Sequence, residues 1–206
     1  MTLNRSKWLS LLVVLAVLAL GGFYAMSNAQ PAGADNEKLV LEFDVAEDMN
    51  RFVFEETPVD ENGMPAHGNP FITSGYIYPK GTLDGTNGVL EDGSPEFPDK
   101  VIGTWICRGW FYGDGGAATS GPWVITTQIY NFGEEYGNLT LVSEGYELAD
   151  VGVPVKRAIT GGTGDYSQAR GEASQIFLGF NEGTEGVDLT FTIELQQPAN
   201  VDASGS

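Results

Sequence analysis

One histidine, one cysteine and 28 Asp+Glu residues set the chemistry open to this 206-residue chain. A single imidazole excludes a three-histidine metal centre and confines any Ser/His or Cys/His nucleophilic pair to His67. A single thiol excludes an internal disulfide and any zinc site that needs two or four thiolates. His67 lies in Gly63-Met-Pro-Ala-His-Gly-Asn69, with no ligand-type residue at i+2 or i+4, and reads as an exposed loop histidine. Cys107 has no evident His or Lys partner to lower its pKa and reads as a small buried hydrophobe. Carboxylate and guanidinium chemistry remain. Glu55 and Glu56 follow a short aromatic run, and a carboxyl held in an apolar interior has a raised pKa and can serve as a general acid. Their alternative role is that of two solvated carboxylates among the 28. Arg170 could hold a ligand carboxylate or stabilise a developing oxyanion, or simply pair with Asp165 or Glu172. Arg108 and Trp110 share one strand face, giving a cation–π contact or a polar cavity wall, while Tyr166 could stack on a ligand or plug one end of an apolar interior.

Positioning these side chains falls to strands. Phe71–Tyr78, Ile102–Tyr112 and Trp123–Phe132 are runs of β-branched and aromatic residues bounded by Gly, Pro and Asp. Further strands are expected at 38–45, 51–55, 139–148, 169–180 and 187–195. The last alternates cleanly, with Leu189, Phe191, Ile193 and Leu195 on one face. Over 102–112, alternation sets Thr104, Ile106, Arg108 and Trp110 against Trp105, Cys107, Gly109 and Phe111, the second set being the better candidate for a buried face. Eight strands, several of them long, favour an antiparallel barrel over a sandwich. Two polar insertions, Asp60–Pro70 and Pro79–Lys100, exceed ordinary hairpin turns and either rim a cavity or run over the surface.

Residues 1–29 resemble a secretory leader, with Arg5 and Lys7 ahead of an apolar run and Ser27-Asn28-Ala29 as the cleavage region. An uncleaved N-terminal membrane anchor is the alternative. Residues 30–37 read as a flexible lead-in, 38–196 as one β domain and 197–206 as a frayed tail. Without the leader the chain carries 8 Lys+Arg and 28 Asp+Glu, a net charge of −20. That charge argues against nucleic acid as a partner and, once the leader is cleaved, against a membrane surface. Asp60-Glu-Asn-Gly63 and Asp84-Gly-Thr-Asn-Gly88 fall short of a calcium-loop pattern, so no metal is expected.

The most distinctive segment is Gly161-Gly-Thr-Gly-Asp-Tyr-Ser-Gln-Ala-Arg-Gly171. As a phosphate loop it fails: the Gly-x-Gly-x-x-Gly spacing is incomplete, Asp165 opposes an anion, and a strand pattern follows. Gly161, Gly162 and Gly164 suit a tight turn between strands. The segment resembles the Gly-Gly-Thr-Gly-x-(Tyr/Phe)-x-x-Ala-Arg-Gly signature of dirigent proteins and of bacterial proteins with an allene oxide cyclase barrel-like domain, and Arg51-Phe-Val-Phe-Glu-Glu56 resembles that family's early aromatic strand. The resemblance implies an eight-stranded antiparallel β-barrel, usually a homotrimer, with an apolar cavity open at one end. It further implies cofactor-free steering of an apolar small molecule through cyclisation or stereoselective coupling, with Arg170 associated with the pocket and Glu55 or Glu56 near the place of an acidic residue. A non-catalytic structural or ligand-carrying barrel is equally compatible with the sequence. Either way, export to the periplasm or beyond is expected from residues 1–29.

Overall fold

In Val187–Gln196 every second side chain is apolar, and the computed structural model turns Val187, Leu189, Phe191, Ile193 and Leu195 inward. The structure describes residues 38–196. The leader, the lead-in and the tail inferred above lie outside them. The strands are β1 (Lys38–Glu47), β2 (Val53–Phe54), β3 (Pro70–Pro79), β4 (Gly103–Phe111), β5 (Pro122–Asn131), β6 (Thr140–Leu148), β7 (Pro154–Gly162), β8 (Gly171–Phe180) and β9 (Val187–Gln196). Consecutive strands from β3 to β9 pair antiparallel, β9 pairs with β1, and β1 closes on β3 through Phe43 opposite Pro79 to Glu47 opposite Gly75. The result is a closed eight-stranded antiparallel barrel with one extra strand.

That extra strand is β2, which continues the line of β1 along the upper edge of β3 after a single 3-10 turn at Met49–Arg51. Asp48 caps the turn, accepting from the Asn50 amide and pairing with Arg51 at 2.9 Å. The expected 51–55 strand is therefore a two-residue extension, and the eighth barrel strand is β7, whose Lys156-Arg157 and terminal glycines mask its alternation. The Gly161–Gly171 segment forms the end of β7, a 3-10 turn at Gly164–Tyr166 and the start of β8. Gly164 sits at φ 57°, where a Cβ would stand 2.2 Å from the Asn138 carbonyl, so glycine is required there.

Call the end that holds Glu47, Phe111 and Leu148 the upper end. The lower interior is filled: Phe43, Tyr130 and Phe191 meet with ring centroids 5.2 Å apart, with Leu141, Ile159 and Ile193 around them. Tyr166 closes that end against Phe132. Burying each such side chain stabilises the fold by about 1.5–3 kcal/mol. The two insertions part company. Gly63, Met64 and Pro65 of the first border the upper cavity. The second, between β3 and β4, covers the outside of the barrel over a separate small core of Ala46, Tyr78, Leu83 and Val89.

The outer wall also differs from side to side. On β7, β8, β9 and β1 it carries ion pairs, Lys156–Glu172 at 2.7 Å and Lys38–Glu194 at 2.8 Å. On β3 to β6 it exposes Ile72, Trp110, Ile125 and Tyr146.

Candidate active site at the upper mouth

Polar side chains cross the barrel above its aromatic floor. They come from inward positions of five neighbouring strands: Cys107 on β4, Thr126 and Gln128 on β5, Ser143 and Glu147 on β6, Arg157 on β7 and Gln175 on β8. Glu147 is their centre. Its Oε1 accepts from Thr126 Oγ1 at 2.6 Å, Gln128 Nε2 at 2.8 Å and Cys107 Sγ at 3.4 Å, and its Oε2 accepts from Gln175 Nε2 at 2.9 Å. Accepting on both oxygens is the role of an ionised carboxylate. Arg157 lies behind it with Nη1 at 3.9 Å, too long for a hydrogen bond. The guanidinium instead donates to Ser143 Oγ at 3.0 Å and to the carbonyls of Tyr146 and Thr126, both at 3.1 Å. Gly145 leaves room for this arrangement, since a Cβ there would stand 3.2 Å from Arg157 Cγ, a tighter contact than usual. Tyr130 finishes the belt, its hydroxyl donating to Gln128 Oε1 at 2.6 Å with Ser143 Oγ at 2.9 Å. The charge is thus buried with every partner supplied, which is the condition for its being tolerated at all.

Above the belt the interior is open. A cavity of about 330 Å³ is walled by Phe52, Phe71, Trp105, Phe111, Trp123 and Val124, with Glu47, Thr73, Cys107 and Glu147 also on its surface. Phe52 stacks on Phe71 at 5.2 Å, and Phe71 meets Phe111 at 5.1 Å, so this wall is one continuous aromatic surface.

Glu47 ends β1 and is 4 % exposed. Its Oε2 accepts the Val187 amide at 2.9 Å, and its other oxygen has no hydrogen-bond partner among the described residues. Burial pushes its carboxyl up to about 7, with Glu147 and Asp48 adding to the rise. The Thr73 side chain, close by but outside hydrogen-bond geometry, and the Val187 amide offset part of that rise. A carboxyl poised there exchanges a proton readily near neutral pH. Cys107 is different: burial first, then the Glu147 charge, push its thiol well up, so it serves as a donor and not as a thiolate.

No family model and no curated protein matches the chain. Among solved structures, the pterocarpan synthase dirigent protein PsPTS1 superposes with a TM-score of 0.56 at 16 % identity, over 80 % of this chain and 98 % of that one. The pterocarpan synthase dirigent protein GePTS1 gives 0.51 at 17 % identity, over 82 % and 93 %. The chain shares the dirigent barrel fold. The Diels Alderase AbmU from Streptomyces koyangensis also aligns, at a TM-score of 0.47 and 13 % identity over 84 % of this chain and 76 % of that one.

Within this dirigent-type barrel the residues singled out from sequence are scattered. Glu55 and Glu56 are exposed beyond β2, where the Glu55 backbone exchanges hydrogen bonds with the Asn69 side chain. Arg108 and Trp110 stand on the outer wall, Trp110 58 % exposed, while Trp105, Cys107 and Phe111 face inward as the alternation implied. Arg170, at the lower end, donates from Nη1 to the carbonyls of Thr160 at 2.9 Å and Ala169 at 2.7 Å, bracing the turn of its own segment. Tyr166 closes the lower end and borders a shallow depression there with Leu39 and Leu195. None of these six lines the upper cavity. The residues that sequence reasoning missed are Glu47, Glu147 and Arg157. Their one available signal was a polar side chain recurring at inward spacing in consecutive strands, and that becomes readable only once register is known.

Proposed function

We propose that the barrel takes an apolar small molecule into its upper cavity and steers cyclisation or stereoselective coupling by confinement and by proton transfer at Glu47. The supporting observation is Glu47 itself, a carboxyl with a pKa raised to about 7 on the surface of an aromatic-walled cavity. Aromatic walls on several sides restrict the conformers a flexible substrate can adopt, which lowers the entropic part of a ring-closing barrier. Glu47 in its acid form protonates a developing alkoxide or enolate, and in its base form removes the proton that completes the reaction. Glu147, immobilised by four donors, holds the belt rigid beneath the reacting molecule.

Purifying the protein from its source, recovering any retained compound by native mass spectrometry and assaying it with Glu47→Gln tests this reading. The expected result is a discrete apolar compound whose conversion falls about 100-fold in the variant while its binding persists. Release of the compound unchanged by both proteins identifies a carrier instead.

We also propose that the protein acts outside the cytoplasm, on the strength of the leader-like residues 1–29, and as the homotrimer that the family resemblance implies. The β3–β6 outer wall supports assembly, since Arg108 and Glu144 are the charges it turns outward among exposed apolar side chains.

A further inference from the structure

The cavity has a sign. Three carboxylates border it, Glu47 and Glu147 low and Glu185 at the mouth, and among the described residues no Lys, Arg or His does. The nearest cations are engaged elsewhere. Arg157 directs its donors to Ser143, Tyr146 and Thr126, and Arg51 pairs with Asp48. Phe52, Trp105 and Trp123 stand on the remaining wall, and aromatic rings attract positive charge to their faces. A carboxylate ligand would enter an aromatic-walled space beside Glu47 and Glu185, where the cation beneath, Arg157, already lies 3.9 Å from Glu147, whereas a cation finds both carboxylates and aromatic rings.

We infer that the ligand is an apolar, preferably aromatic, molecule carrying a basic nitrogen or another positive centre, and that the cavity rejects carboxylic acids. The inference rests on the reading that the upper cavity is the ligand site, and it narrows that reading to one charge class. It extends to the reaction as well: charge that becomes positive along the coordinate is stabilised here, and charge that becomes negative needs the proton of Glu47.

Glu47 makes the preference depend on pH. The groups facing it are Asp48 beside it in the chain, Thr73 on β3, Cys107 on β4, Glu147 on β6, and the Glu185 and Val187 segment entering β9. A bound cation favours the ionised form of Glu47, so binding releases a proton and tightens as pH rises through about 7. An anion favours the protonated form and shows the opposite slope.

Titration calorimetry with three probes of one shape tests the inference on the purified protein: 2-naphthylmethylamine, 2-naphthylmethanol and 2-naphthoate. The amine is expected to bind at least about tenfold more tightly than naphthoate at pH 7.5, and to gain about tenfold between pH 6 and pH 8. Glu47→Gln is expected to abolish that gain and to narrow the gap between amine and acid. Glu185→Gln at the mouth is expected to narrow the gap while keeping the pH dependence, which guards against a folding defect in the first variant. Binding of the alcohol and of naphthoate as tight as that of the amine overturns the charge inference and leaves the cavity as the ligand site. Failure of all three probes at millimolar concentration overturns the ligand-site reading together with it.

Discussion

The two ends of the barrel are made by the same eight strands and come out as opposites. Below the polar belt, Phe43, Tyr130 and Phe191 meet ring to ring and Tyr166 closes the end. Above it, seven aromatic side chains line the wall and still leave about 330 Å³ open. The difference comes from what stands on the strands between the rings. At the lower end large side chains project inward from opposite walls and touch. At the upper end the smaller side chains of Thr73, Cys107 and Thr126 occupy inward positions, and Phe52 and Trp123 pack against the core only partly buried. Stability is therefore concentrated below, and the groups able to act on a ligand are concentrated above.

The contrast can be broken hardest at its two supports. Phe191→Ala, which hollows the filled end, is expected to cost about 4 kcal/mol in chemical denaturation. Arg157→Ala is expected to cost about 3 kcal/mol by the same measurement, because it strips the belt of its cation and leaves Glu147 buried beside no positive charge. A double variant with Glu147→Gln should recover part of that loss. If Arg157→Ala proves neutral, the belt is not what separates the two ends.

The next effect is set by pH. The folded-state pKa of Glu47 is raised to about 7 from an ordinary 4.5, so the folded protein binds one more proton than the unfolded chain between those values. Stability is then greatest below pH 4.5 as far as this group is concerned, and it falls as pH rises to about 7, by about 3 kcal/mol in all. Asp188 acts in the same direction from outside the barrel: burial, with Asp84, Asp44 and Glu96 nearby, raises it to about 8, against some opposition from Asn181. Melting curves at pH 5 and pH 8 should show the native protein weaker at the higher pH. Glu47→Gln and Asp188→Asn should each remove a separate part of the difference.

The smallest effect is expected at the mouth. Phe54→Ala, at a half-exposed ring beside Phe52, should cost under about 1 kcal/mol while weakening an aromatic cavity ligand severalfold. Equal losses for Phe54→Ala and Phe191→Ala would erase the distinction between a structural end and a working end.

How much of this was visible in the sequence follows the same division. The apolar-inward alternation of β9 and the Trp105/Cys107/Phe111 face of β4 state their burial outright, and they belong to the filled core and its border. β6 states the reverse. Its inward residues are Leu141, Ser143, Gly145 and Glu147, while Val142, Tyr146 and Leu148 point outward, so a binary reading chooses the wrong face. β7 hides for a similar reason, with Arg157 at an inward position. A polar belt inside a barrel inverts the pattern from which barrels are recognised, and so β6 and β7, which carry Glu147 and Arg157, are the least legible of the strands that build the candidate site. Arg170 shows the converse. A distinctive segment marked it, and the structure gives it the task of bracing the backbone of a turn that glycines alone can make.

Glu47 is the last residue of a strand locked in register with both β3 and β9, while the chain that follows it, from Met49 to Phe54, leaves those registers before helping to form the mouth. The other mouth segments, Gly63–Pro65 and Glu185, are loops. Exchange of these pieces touches only the two-residue pairing of β2 with β3 and leaves the pairings that close the barrel intact. For engineering, the barrel is a fixed carboxyl beneath an exchangeable collar: on the function proposed above, the ligand admitted could be changed by rewriting the mouth segments, with the acid, its belt and the closed end left as they are.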